Sequence, residues 1–171
     1  KSFIISSGHS SSSLWEKEGL RRIKMMPREM QDAINHALTT GDFTGEAYDA
    51  AVAEYMDRYC NYWLGQDAPA CCTRPKKSGS ESYIYGWGPN EFAPTGTLKD
   101  FEYTDRLGEI QIPSLICSGI SDLCSPLVAK TLADGIPNSK WILWENARHT
   151  CFVDRHDDYC KELIKWMNHY D

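Results

Sequence analysis

Asp122 and His149 are the two residues whose types and spacing could do chemistry together. Asp122 sits in a turn behind the apolar run that begins at Pro113, in Ser118-Gly-Ile-Ser-Asp122-Leu-Cys-Ser-Pro126. His149 closes a second such unit, Lys140-Trp-Ile-Leu-Trp-Glu-Asn-Ala-Arg-His149. A carboxylate that holds an imidazole in one tautomer leaves the other ring nitrogen free to move a proton, as in nucleophilic hydrolysis. Alone, each residue has a plainer reading. An Asp in that turn can simply cap the helix that Pro126 starts, and a loop His can simply face solvent. The pair is more specific than either member. One strand–helix–strand unit separates them, so parallel neighbouring strands would bring both turns to the carboxyl edge of a sheet, where α/β ligand sites lie.

Carboxylate first and His last is the order in which an α/β-hydrolase closes its triad, after a Ser on a G-x-S-x-G elbow. The sequence contains no such elbow. Gly8-His9-Ser10-Ser11-Ser12 misses it only at the final Gly, and the segment follows a strand and precedes a helix. Ser10 is nevertheless a poor nucleophile candidate, because a helical run follows it and too few strands come before it. Cys124 and Cys151 raise thiol chemistry beside the His, since a thiolate paired with imidazolium is a workable nucleophile. Cys151 lies only two residues past His149, a poor geometry for attack, so packing is the expected role. Two triad members of three are thus expected here, in the second half of a hydrolase. Lys1 in place of an initiator Met, directly before Phe3-Ile4-Ile5, fits a chain that opens inside a buried strand.

The elements that must position the pair are readable in outline. Lys1–Ser7 reads as a short buried strand. Ser13-Leu-Trp-Glu16 fits a capping box opening a helix toward Met26. Pro27 suits the first position of a second helix, whose apolar residues Met30, Ala33, Ile34, Ala37 and Leu38 recur at helical spacing until Gly41 stops it. A third helix is expected from about Gly45 to Leu64, with Tyr48, Ala51, Val52, Tyr55, Met56 and Tyr59 on one face. Gly65–Ser82 reads as a loop. From Ile110 the order is strand, helix (Pro126–Asp134), strand (Lys140–Glu145) and a terminal helix from Asp154 to Tyr170. Both strands are continuous apolar runs, as parallel strands buried on two faces should be. The expected fold is α/β, the C-terminal part of an α/β-hydrolase parallel sheet with an inserted helical cap. Its division is a core strand at 1–8, a helical cap with its connection at 9–103, and a C-terminal α/β core at 104–171.

Composition narrows the partners. With 42% hydrophobic and 25% charged residues, the 171-residue chain has the makeup of a globular domain. A net charge of −6 argues against a nucleic-acid footprint or an anionic membrane surface. No stretch reads as a membrane-spanning helix or a signal peptide. The seven cysteines, Cys71-Cys72 among them, show no repeated metal-ligand spacing. They read as reduced, packed thiols in a cytoplasmic protein.

Trp87-Gly-Pro-Asn-Glu-Phe92 and Thr95-Gly-Thr-Leu-Lys-Asp100 carry a closer likeness. With Asp105-Arg-Leu-Gly-Glu-Ile-Gln-Ile-Pro113, the Gly119…Asp122…Pro126 turn and Glu145-Asn-Ala-Arg-His149, the chain resembles the C-terminal half of the proline iminopeptidase (prolyl aminopeptidase) family of α/β-hydrolases. The likeness covers nearly the whole chain, although the cap helices match only in placement and pattern. It implies a serine aminopeptidase that releases N-terminal residues, proline or similar, from short peptides or amino-acid amides with a free N-terminus. The implied chemistry runs through an acyl-enzyme and needs no cofactor and no metal. Asp122 would orient His149, the general base and then acid, and Glu91 would help bind the substrate ammonium. The elbow and oxyanion loop would belong to an N-terminal half, without which the chain would be inactive. Many relatives carry a second acidic residue just after the triad Asp. Leu123 stands there instead, which suggests a shifted preference and keeps an esterase or amidase of the same fold in view. A non-catalytic binding module of this fold is the alternative from another class.

Overall fold

The computed structural model describes residues 1–61, 74, 75 and 79–170. Strand β1 (Phe3–Ser6), β2 (Ser114–Gly119) and β3 (Ser139–Trp144) form a parallel sheet in the order β1-β2-β3. Ile5 pairs with Ile116, and Ile116 with Trp141. Helices α1 (Ser12–Ile23), α2 (Arg28–Thr40) and α3 (Glu46–Tyr59) follow β1 in succession. A short α4 (Ser80–Gly86) and a 3-10 helix at Thr104–Glu109 precede β2. Helix α5 (Pro126–Gly135) crosses from β2 to β3. The chain ends in α6 (Cys151–Asp154) and α7 (His156–Tyr170).

Strand β2 holds the sheet together because it is buried along its entire length, with a helix layer on each face. Successive side chains point to opposite faces. Ile116 joins Val128, Ala129 and Leu132 of α5 in a cluster that continues into Ile34, Tyr55 and Phe92. Leu115 and Cys117 meet Cys151, Tyr159 and Trp166 on the other face. That two-sided cover is what a crossover-connected parallel sheet requires.

Several expectations need correction. β1 is shorter than Lys1–Ser7 and less buried, with Phe3 43% exposed, as suits a strand at the edge of the described sheet, where a chain lacking an N-terminal half is expected to leave it. β3, the other edge, is only partly buried, and Lys140 and Leu143 face outward. Two-sided burial therefore holds for β2 alone, since an apolar run says nothing about what lies beside it in space. The cap of α1 is Ser11, not Ser13: its Oγ accepts from the Leu14 N–H at 2.9 Å. Glu102 selects it, accepting from Ser11 Oγ at 2.9 Å and from the Ser13 N–H at 3.1 Å. Pro27 is the N-cap of α2 rather than its first residue, whereas Gly41 ends that helix in the left-handed region as expected, at φ 76°. Helix α3 ends at Tyr59; Leu64, Cys71-Cys72 and most of the expected 65–82 loop fall outside the described residues. Ser80–Ser82, the end of the expected loop, instead open the helix Ser80–Gly86, and a short unforeseen helix, α6, precedes the expected terminal helix α7.

Candidate active site

Asp122 and His149 meet at the carboxyl edge of the sheet, on the turns that follow the neighbouring strands β2 and β3. His149 Nδ1 lies 2.8 Å from Asp122 Oδ1. The turns can meet because Gly119 has no side chain: a Cβ there would stand 2.2 Å from the Ala147 carbonyl oxygen. The Ser121 N–H, donating to that same oxygen at 3.1 Å, fastens them together.

The Asp122 carboxylate is fully buried and fully satisfied. Oδ2 accepts from Ser7 Oγ at 2.6 Å and the Gly119 N–H at 3.1 Å, and Oδ1 accepts from the Cys124 N–H at 2.8 Å as well as facing His149. Four partners match the roughly four lone-pair sites of an ionised carboxylate. Asp122 does not cap α5. Ser125 does, accepting from the Val128 N–H at 3.3 Å. With Nδ1 assigned as the donor to Asp122, Nε2 is the nitrogen that can take up a proton. The His149 side chain keeps 32% of its surface exposed, so solvent or a substrate can reach it.

Ser7 supplied no sequence signal. It stands at φ 51°, in the left-handed region that few residues without a glycine's freedom adopt. There its hydroxyl lies between Asp122 Oδ2 and the His149 carbonyl oxygen, 3.0 Å away. Ser10, the near-elbow serine, is buried with Oγ 3.0 Å from Thr104 Oγ1.

Helix α3 reaches both turns through its last carbonyls, which have no partner within the helix. Tyr59 O accepts from the Leu123 N–H at 3.0 Å and the His149 N–H at 3.1 Å, and Cys60 O accepts from the Thr150 N–H at 3.2 Å. On the other side of His149 the Trp15 ring stands edge-on, centroids 6.2 Å apart, and its Nε1 donates to Glu91 O at 3.0 Å. The structure thus links the main chain of Glu91, through Trp15, to His149. Glu91 Oε1 accepts from the Tyr83 hydroxyl at 2.6 Å; burial and that carboxylate push the phenol well above its ordinary value. Cys60 reports the same clustering of charge. Its thiol is pushed up to about 11, first by burial and then by the negative charges of Glu91, Asp122 and Asp154. Cys124 and Cys151 are buried and their thiols are held protonated by burial, which suits packing rather than attack. Leu123 packs into the hydrophobic cluster below the turn. Among the described residues, no group of His, Cys, Asp and Glu could hold a metal ion, and no helix is long and apolar enough to cross a membrane.

No family model matches the chain. Curated relatives do, along its whole length. A proline iminopeptidase of Clostridioides difficile is 52% identical over 171 residues, and one of Clostridium botulinum is 50% identical over the same span. The chain covers all of itself but 58% of each relative, so it spans little more than half the length of the proteins it matches. Among solved structures, a proline iminopeptidase of Mycobacterium smegmatis superposes with a TM-score of 0.81 at 23% identity, over 98% of this chain and 56% of that one. The crystal structure of VinJ gives a TM-score of 0.82 at 21% identity, over 98% of this chain and 57% of that one. At those identities the structural likeness shows the fold, an α/β-hydrolase one.

Proposed function

Because the chain is related along its whole length to the proline iminopeptidases, we propose that it supplies the acid–base half of a serine aminopeptidase of that type. The observation that carries the reading is the bond between Asp122 and His149 Nδ1 on the turns of adjacent parallel strands. In this reading a Ser hydroxyl from residues outside this chain attacks the carbonyl carbon of the substrate's first residue. His149 Nε2 takes the hydroxyl proton as the Ser Oγ–carbon bond forms, while Asp122 stabilises the imidazolium. The imidazolium then protonates the leaving amine as its bond to carbon breaks, giving an acyl-enzyme and a shortened peptide. Water attacks the ester with His149 again as base, and the free N-terminal residue departs as its carboxylic acid.

Glu91 would hold the substrate's ammonium. Its support is proximity: the Glu91 main chain is linked to His149 through Trp15, and its carboxylate acts on the thiol of Cys60, the residue after Tyr59, whose carbonyl holds both turns. With Leu123 where many relatives carry an acid, the ammonium would lean on Glu91, and less polar N-terminal residues would be tolerated. Short peptides or amides with a free N-terminus are the substrate class of the proposal, and the cytoplasm its setting, as the cysteine usage suggests. The test is release of proline from a chromogenic prolyl amide by the complete gene product that contains this chain, compared with His149→Gln and Glu91→Gln. His149→Gln should abolish turnover. Glu91→Gln should raise KM for the free-amine substrate and leave an N-acylated ester unaffected. Undiminished turnover in His149→Gln would end the proposal.

A further inference from the structure

Arg22 is the least expected charge in the molecule. It lies on α1, is only 3% exposed, and has no carboxylate among its hydrogen-bond partners within the described residues. Its neighbour Arg21 takes the ion pair with Glu18, at 2.9 Å. Arg22 Nη1 instead donates to the carbonyl oxygens of Asp122 and, at 3.1 Å, Leu123. The guanidinium lies over the Tyr59 ring, 4.4 Å from its centroid. Tyr59 is the residue whose own carbonyl accepts from the Leu123 and His149 N–H groups. One side chain therefore grips the carbonyl side of the Asp122 turn and packs on the residue that grips both turns from the N–H side.

We propose that Arg22 is the positioning residue of the Asp122–His149 pair: its guanidinium clamps the Asp122–Leu123 carbonyls against Tyr59 and so fixes the distance between carboxylate and imidazole. The proposal rests on the hydrolase reading for its catalytic consequence. Burying a guanidinium is costly, and well-packed apolar groups often stabilise a core as well or better. A flat cation does here what an apolar group cannot. It satisfies two buried carbonyls that face away from any strand partner, and it stacks on an aromatic face at the same time. Lysine could reach the carbonyls as a point charge but could not stack in the same way.

The test uses the complete gene product with Arg22→Met, Arg22→Lys and, as a control of the same residue type one position away, Arg21→Met. Arg22→Met should lower kcat by on the order of 10–100-fold, the scale of a misplacement of up to about 1 Å at a catalytic group, with KM little changed. Arg22→Lys should recover part of the loss, and Arg21→Met, which costs stability through the loss of its ion pair with the buried Glu18, should keep the wild-type kcat. The low-field proton resonance of His149 Nδ1–H should broaden or vanish in Arg22→Met and persist in Arg21→Met. A merely structural role would lower the melting temperature and leave both kcat and the resonance of the folded variant intact, which would overturn the proposal. If Arg22→Met does not fold, Arg22→Lys and Arg22→Gln decide by the same resonance: weakening supports the clamp, and full retention in both overturns it. If wild type releases no proline, the hydrolase reading falls, while the resonance still decides whether Arg22 sets the pair.

Discussion

Asp122→Asn should cost stability as well as turnover, and the reason lies in counting donors. The carboxylate has four partners, two on each oxygen. An amide keeps one oxygen and replaces the other with an NH2 that must itself donate. If the NH2 takes the place of Oδ2, the Ser7 hydroxyl can turn to accept from it, but the Gly119 N–H, 3.1 Å away, cannot. If it takes the place of Oδ1, it opposes the Cys124 N–H at 2.8 Å, and His149 must present a bare Nδ1, the tautomer that puts the proton on Nε2. Either orientation leaves one buried backbone N–H without an acceptor, a loss of about 1–3 kcal/mol. The second orientation also inverts the imidazole, and the same exchange in a serine-protease triad costs about 10⁴-fold in kcat. Urea unfolding near neutral pH reads the first effect, and turnover by the complete gene product reads the second. An unfolding midpoint and slope equal to wild type would refute the reasoning, because it would mean that the four donors are not all engaged.

Ser7→Ala removes the 2.6 Å bond to a buried carboxylate, and it should lower the unfolding free energy by about 1.5–3 kcal/mol; no change in the urea midpoint would show that the bond contributes nothing. His9 takes up its proton at lower pH than a surface His. Burial lowers its value below 6.5, more than the charge of Glu102 raises it, and its ring packs among Trp15, Trp87 and Phe101. The unfolded chain therefore binds the proton more readily than the folded one between the depressed value and about 6.5, so stability is full above about 6.5 and falls as pH falls through that window. His9→Phe should flatten that acid-side decline in melts taken from pH 7 to pH 5, a range spanning the ordinary His value, and an unchanged slope would remove His9 from the account.

Much of the site's frame was legible because local rules set it. The apolar run before Asp122, the Pro126 helix start and the Gly41 stop each follow from short-range chemistry, and the order of Asp and His pointed to the edge where the two meet. The capping-box pattern pointed to Ser13, whereas Glu102, distant in sequence, bonds Ser11 Oγ and the Ser13 N–H and so leaves the cap to Ser11. Ser7 looked like any strand-end serine, since neither its positive φ nor its reach to Asp122 has a sequence signature. Arg22 was hidden twice. It adjoins Arg21, which takes the local ion pair, and its carbonyl partners lie 100 and 101 residues away. The exposure of β3 was illegible because Trp141-Ile-Leu-Trp144 is apolar on every face, and its position at an edge is a property of the sheet.

The carbonyls at the end of α3 carry a consequence for how such a protein can be altered or diversified. Helical insertions on a common sheet are natural units to exchange when a new specificity is sought, in evolution or in the laboratory. Here the unit does not end cleanly at its loops. Its last residues, Tyr59 and Cys60, are hydrogen-bond acceptors for Leu123, His149 and Thr150. A chimera that replaces 12–59 with a foreign helical segment therefore replaces part of the support of the Asp122–His149 pair along with the helices themselves. Exchanges that keep the Tyr59–Cys60 backbone and the Arg22 position, and vary the outward faces of α2 and α3, should travel between relatives far more readily than whole-segment swaps. Diversity in proteins built this way is then expected to accumulate in the middle of the inserted helices, with their ends held to the geometry of the turns below.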